Sequence, residues 1–124
     1  MYHAVIIEES LADKTVLENY NILNTKIDDD WHLHIIKIPE PEAAIKKIQP
    51  AMVSNEPYYW HIFDEGKTLI VVFRDRVFRL DPNDQTAWRE AAEYGAAKMN
   101  ISAEQLDFYP SYISDEAEWL AGKR

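Results

Sequence analysis

The stretch Asp28-Asp29-Asp30-Trp31-His32-Leu33-His34 crowds metal-ligand residue types into seven positions. Side chains alternate along a strand with a period of two, so Asp28, Asp30, His32 and His34 fall on one face. Same-face neighbours stand about 6.7 Å apart at the backbone, close enough for two imidazoles to converge on one ion. Neutral imidazole suits zinc, copper and nickel. His61, in YYWHIF, is the natural third ligand if its strand pairs with residues 31–38; His3 is the reserve, and Asp30 or a water completes the set. His32, His34 or His61 with Asp30 would also suffice for general acid–base chemistry, because imidazole titrates near neutrality. A plainer reading outweighs both. Three Asp before a strand describe a solvated turn, and two His on one strand face describe the wetter side of an antiparallel sheet. The spacing matches no helical metal motif such as H-E-x-x-H.

His3, His32 and His61 each follow an aromatic residue, Tyr2, Trp31 and Trp60. Each pair sends a ring to one sheet face and an imidazole to the other. If helices cover Trp31, Leu33 and Ile35, the opposite face presents His32, His34, Ile36 and Ile38, joined by Tyr59, His61 and Phe63 when the register allows. Such a mixed patch is more than a monomer usually leaves bare. Cover by residues 101–124 ranks first, a second copy next, and a ligand last. A separate basic spot, FRDRVFRL, carries Arg74, Arg76 and Arg79 with Lys67 nearby. It has the guanidinium forks to grip a phosphate or carboxylate. A solvated hairpin whose arginines meet local carboxylates is the favoured alternative.

The elements that must position these residues are legible in outline. Residues 2–7 read as a buried strand. Ser10 with Asp13 and Thr15 with Glu18 have capping-box spacing, which predicts a short helix between 11 and 20. Residues 21–27 read as a strand or extended loop, and WHLHIIKI (31–38) as a strand stopped by Pro39. Residues 40–53 form a helix that Pro50 should kink or end. Residues 57–80 read as a three-stranded meander, with TLIVVF apolar on both parities and therefore interior. Residues 81–100 form the longest helix, with Asp81 or Asp84 as cap and a stripe of mostly small residues through Ala91, Ala92, Gly95 and Ala96. SAEQL (102–106) starts a short turn, and DEAEWLAGK (115–123) ends the chain as a short helix. The expected architecture is α+β, a single domain over 1–124. It has one antiparallel-rich sheet, two main helices on one face in a ferredoxin-like variant, and 101–124 packed on the core.

The bulk numbers narrow the function classes. A chain of 124 residues suits one core. A formal net charge of −9 repels phosphate backbones and anionic membranes, so no nucleic-acid or membrane partner is expected. No cysteine means no disulfide, no thiolate nucleophile and no Cys-based metal centre. The first residues lack the pattern of a signal peptide and no segment reaches the ~18 apolar residues of a membrane helix, so a cytoplasmic location is expected. Five Ser without G-x-S-x-G, and three scattered Gly without a phosphate loop, leave no catalytic residue to assign.

DWHLHIIKIPE, WHIFDEGKTLIVVFRDRVFRL and EAAEYGAAKMNISAEQLDF together resemble small prokaryotic proteins of unknown function, over about residues 28–108. The resemblance implies a small α+β domain and no activity, cofactor or site residue.

The leading functional expectation is therefore an acidic interaction module that self-associates through the open sheet face. The alternatives are a metal-binding protein or His-based enzyme using His32, His34, His61 and Asp30, and an acidic inhibitor or immunity-type protein that caps a basic partner. No cofactor is expected, except a divalent transition metal in the second reading.

Overall fold

The structure, a computed structural model, describes residues 1–122. Six strands form one open sheet: β1 (Tyr2–Ile7), β2 (Ile22–Asp28), β3 (Trp31–Ile38), β4 (Tyr59–Phe63), β5 (Leu69–Phe73) and β6 (Val77–Leu80). Their order is β2-β3-β1-β4-β5-β6 and every neighbouring pair is antiparallel. Three α-helices accompany them: α1 (Pro41–Ile48), α2 (Gln85–Lys98) and α3 (Glu116–Leu120). Short 3₁₀ turns at Glu8–Ser10 and Lys14–Asn19 bridge β1 to β2. No helix among the described residues is long and apolar enough to cross a membrane.

Register decides which side chains share a face, because directly opposed residues in an antiparallel pair point the same way. Ala4 opposes Ile36 on β3 and Ile62 on β4; Val5 opposes Ile35 and His61. The first face therefore carries Ala4, Ile6, Ile36, Trp60, Ile62 and Val72. These pack against Leu11, Val16 and Leu17 from the β1–β2 connection and Ala44, Ile45 and Ile48 from α1. The second face carries Val5, Ile35, Phe63, Val71 and Phe73. It packs against Ala91 of α2 and against Ile101, Leu106, Phe108 and Trp119.

The two main helices thus lie on opposite faces, not on one. The cause is in the strands. All five residues of β5 are buried, so apolar side chains project both ways and both faces need cover. β3 sits between β1 and β2, and β4 lies on the other side of β1. The segments linking β1 to β2 and β3 to β4 both pack on the first face.

Asp84 accepts from the Thr86 N–H at 3.0 Å and caps α2, as its position predicted. Between residues 11 and 20 the expected capping boxes do not form: the Ser10 hydroxyl turns back to the Ile7 carbonyl, and Asp13 caps a 3₁₀ segment by accepting from the Thr15 N–H at 3.1 Å. α1 ends at Ile48, and the chain passes into a 3₁₀ turn containing Pro50. The small-residue stripe of α2 is used most at Gly95. A Cβ there would stand 2.5 Å from Leu106 Cδ2 and 3.2 Å from Phe73 Cε1, so only glycine lets the tail pack this closely. Lys123, the last residue of the expected terminal helix, lies outside the described residues.

Candidate functional site

The histidines divide between the two faces. His34 opposes Ile6 and Thr25, and His32 opposes Ile27, so both belong to the first face. His61 opposes Val5 and His3 opposes Phe63, on the second face. The sheet itself separates His32 and His34 from Tyr59, His61 and Phe63, so the expected three-His cluster and the expected common patch do not form. Asp30 lies exposed in the β2–β3 turn, where Asp29 takes a left-handed φ of 54° that Asp tolerates. It joins neither group of histidines.

What meets His32 and His34 is a pair of carboxylates to which no sequence motif pointed. β1 ends at Ile7 and turns tightly, with the Ser10 hydroxyl donating to the Ile7 carbonyl at 2.6 Å. That turn delivers Glu8 and Glu9 to the start of β3. Glu9 Oε1 accepts from the His32 backbone N–H at 2.8 Å, and Glu9 Oε2 lies 2.9 Å from His32 Nδ1. Glu8 Oε1 lies 3.0 Å from His34 Nε2. On the far side of that ring, Thr25 Oγ1 is 2.8 Å from Nδ1. Ligand atoms of Glu8, Glu9 and His32 all lie within 4.8 Å of one another. His34 is buried, whereas the His32 side chain keeps 45% of its accessible surface, so the cluster opens to solvent on one side. Partial burial opposes ionisation of Glu9, but the hydrogen bonds from the His32 backbone and ring prevail and hold its carboxyl below the ordinary range.

At His61, on the second face, the environment is the reverse. His61 is buried with Nε2 2.7 Å from the Pro110 carbonyl, which makes that nitrogen the donor. Burial pushes its pKa down to about 4, against the Pro110 hydrogen bond and the nearby Asp107 charge. His3 Nδ1 lies 2.5 Å from Glu116 Oε2 and ties β1 to α3. The tail that brings these partners covers Tyr59, His61 and Phe63, so this part of the sheet is not open.

Beside His61 the cover stops short and leaves a cavity of about 270 Å³. Its lining includes Val5, Leu33 and His61 together with the rings of Trp31, Tyr58, Tyr59, Tyr109 and Trp119. Asp28, Glu104 and Asp107 bring carboxylates to the lining, and Lys26 brings an ammonium. The Lys26 Nζ donates to the Trp119 carbonyl at 2.7 Å and stands 4.8 Å from that residue's ring centroid. Trp31 and Tyr58 meet edge to face at 5.9 Å. Sequence patterning could not have assembled this lining, because β1, β2, β3, β4 and the tail all contribute to it, from Val5 to Trp119.

The arginines of the β5–β6 hairpin are dispersed. Arg79 Nε donates to Glu42 Oε2 at 3.1 Å in a forked pair with α1, which holds the Glu42 carboxyl low and the guanidinium high. Arg74 Nε donates to the Met52 carbonyl at 3.1 Å. Arg76 stacks over Phe78 at 4.5 Å and Tyr94 at 5.4 Å. The three guanidinium groups thus contact separate parts of the chain and do not converge on one point. No protein-family model, curated protein or solved structure matches this chain.

Proposed function

We propose that this protein is a small binding domain whose ligand is a compact organic cation. The observation that supports the reading is the cavity on the second face, where aromatic rings and carboxylates line one space. Ring faces attract ammonium and guanidinium groups, the more so when partly desolvated. Asp28 and Glu104 add negative charge, and the whole chain, at −9, steers cations toward it. The 4.8 Å approach of Lys26 to Trp119 is an intramolecular instance of the same recognition. The volume, near 270 Å³, sits at the lower end of ligand pockets and fits a small amine better than a nucleotide. The fold reading that goes with it is a ferredoxin-like variant over β1–β4, extended by β5 and β6. The order β2-β3-β1-β4 and the shared face of the two connecting segments support it.

The test is an NMR titration with tetramethylammonium, guanidinium and acetate. Expected are shifts of the Trp31 and Trp119 indole signals with the cations and none with acetate, and loss of the response in Trp31→Ala. Absence of cation response at 10 mM, on the order of the weakest useful affinity, would end the reading.

A second reading, self-association, is favoured by β2. Its outer edge is unpaired, and Ile22, Leu23 and Ile27 are exposed on it, Ile27 by 68%. The partner would be a second copy, β2 against β2 about Thr25, with Leu23 facing Ile27. Native mass spectrometry should then show a dimer that Ile27→Lys abolishes; a monomer at 100 μM, about the concentration a weak interface needs, refutes it.

A further inference from the structure

We infer that Glu8, Glu9, His32 and His34 form a site for a divalent transition-metal ion of the zinc class, on the opposite face of the sheet from the cavity. Four groups of the right chemistry come from two rigid sources, the tight turn after β1 and the start of β3. The β1–β3 register, with Ile6 opposite His34, fixes one source against the other. Two imidazoles and two carboxylates, with no thiolate in the chain, make a donor set suited to zinc and its neighbours, not to calcium or copper(I).

The donor atoms are near neighbours, spaced somewhat wider than a bound ion would hold them. Glu8, Glu9 and His32 offer atoms within 4.8 Å of one another, and His34 Nε2 stands 3.0 Å from Glu8 Oε1. Zinc bonds of about 2.0–2.2 Å to nitrogen and oxygen require ligand atoms roughly 3.3–3.5 Å apart. His34 joins the other three only through Glu8, so rotation of the half-exposed His32 and of the two glutamates would have to draw the four donors together. In each His–Glu contact a proton lies between nitrogen and oxygen, and the ion would take the place of those protons.

The surroundings also fit. Thr25 Oγ1 holds His34 Nδ1 at 2.8 Å and so turns Nε2 toward Glu8, the outer contact that metal-bound imidazoles usually have. The His32 N–H fixes Glu9 through Oε1 and leaves Oε2 at the cluster. Surface exposure at His32 leaves room for water or a further ligand in an open position. The competing account is two ordinary His–carboxylate pairs, which would bind no ion with useful affinity.

The deciding experiment is calorimetric titration of the full chain, tag removed and chelator-washed, with zinc chloride. One ion per chain is expected. Glu9→Gln and His32→Ala should each weaken binding at least tenfold, and Thr25→Val, acting through His34, several-fold. Histidine ring NMR of the unsubstituted chain guards against variants that fail to fold. Zinc should shift His32 and His34 and leave His3 and His61 unmoved. No binding heat at 100 μM zinc overturns the assignment, as does unchanged affinity in folded Glu9→Gln or His32→Ala, or a response at His3 and His61 instead. None of these outcomes touches the cavity, so the two proposals stand or fall separately.

Discussion

The two faces of the sheet each receive two histidines, and the sharpest difference is between His32 on the first and His61 on the second. On the first face, His32 and His34 meet a turn that carries carboxylates, and the cluster they form stays partly open to water. On the second, His61 meets a tail that brings Phe108, Trp119 and the Pro110 carbonyl, while His3 takes a carboxylate partner, Glu116, from the same tail. There the imidazole of His61 is kept neutral by burial. The residue type is the same and the strand context is similar, an aromatic followed by His in three of the four cases. What differs is the distant segment that lands on each. A histidine's chemistry here is set by its non-local cover, and that cover separates an open polar cluster from a packed interior.

The cover over His61 should therefore carry far more of the stability than the carboxylate turn beside His32 and His34. Phe108 is fully buried and contacts Tyr59 and Trp88 edge to face at 5.6 and 5.8 Å. Phe108→Ala removes both contacts and leaves a void under the tail, which should cost about 3–5 kcal/mol by urea denaturation. A loss below about 1 kcal/mol would mean the tail is only loosely seated.

The next largest effect is a pH dependence. The folded pKa of His61, about 4, lies below its ordinary value of 6.5. Between those two pH values the unfolded chain binds a proton that the folded chain does not. Stability therefore rises with pH across this window, and is lost as pH falls from 6.5 through 4. The difference corresponds to about 3 kcal/mol. His61→Leu should start less stable at pH 7, having lost the Pro110 hydrogen bond, but should show a flatter profile between 6.5 and 4. An unchanged slope would shift the acid sensitivity to other groups.

Local patterning reached the elements and stopped at their assembly. β1 and β3 span the residues that alternation and the Pro39 stop predicted, and the meander's three strands are in place. The error lay in parity between strands. Trp31 and Trp60 precede His32 and His61 in the same way, yet the register through Val5 puts Ile35 and His61 together, so Trp60 faces away from Trp31's side. Which residue of one strand opposes which of another is a long-range fact that no window of sequence contains. Glu8 and Glu9 escaped notice for the same reason. Their signal, two acids just past the end of a buried strand, acquires meaning only once that strand is paired with the one bearing His32 and His34.

The smallest expected effect sharpens the contrast most. Glu9→Gln keeps an oxygen to accept from the His32 N–H, and it replaces the charged oxygen beside Nδ1 with a neutral amide NH2. Because the His32 partner is nearly half exposed, solvent screens the pair, and the stability change at pH 7 without metal should stay within about 1 kcal/mol. The Glu9 carboxyl is held below its ordinary value of 4.5, so the ionised carboxylate contributes stability above that value and loses it as pH falls through the folded pKa. The difference between the native chain and Glu9→Gln should therefore persist from pH 7 down to about 4.5 and fade in stronger acid. The His61 response, in contrast, is already under way at about pH 6. Urea unfolding of both chains at about pH 7, 5 and 3.5 separates the two faces. A cost above about 2 kcal/mol for Glu9→Gln would make the carboxylate a structural support, and the two faces would then differ in degree only.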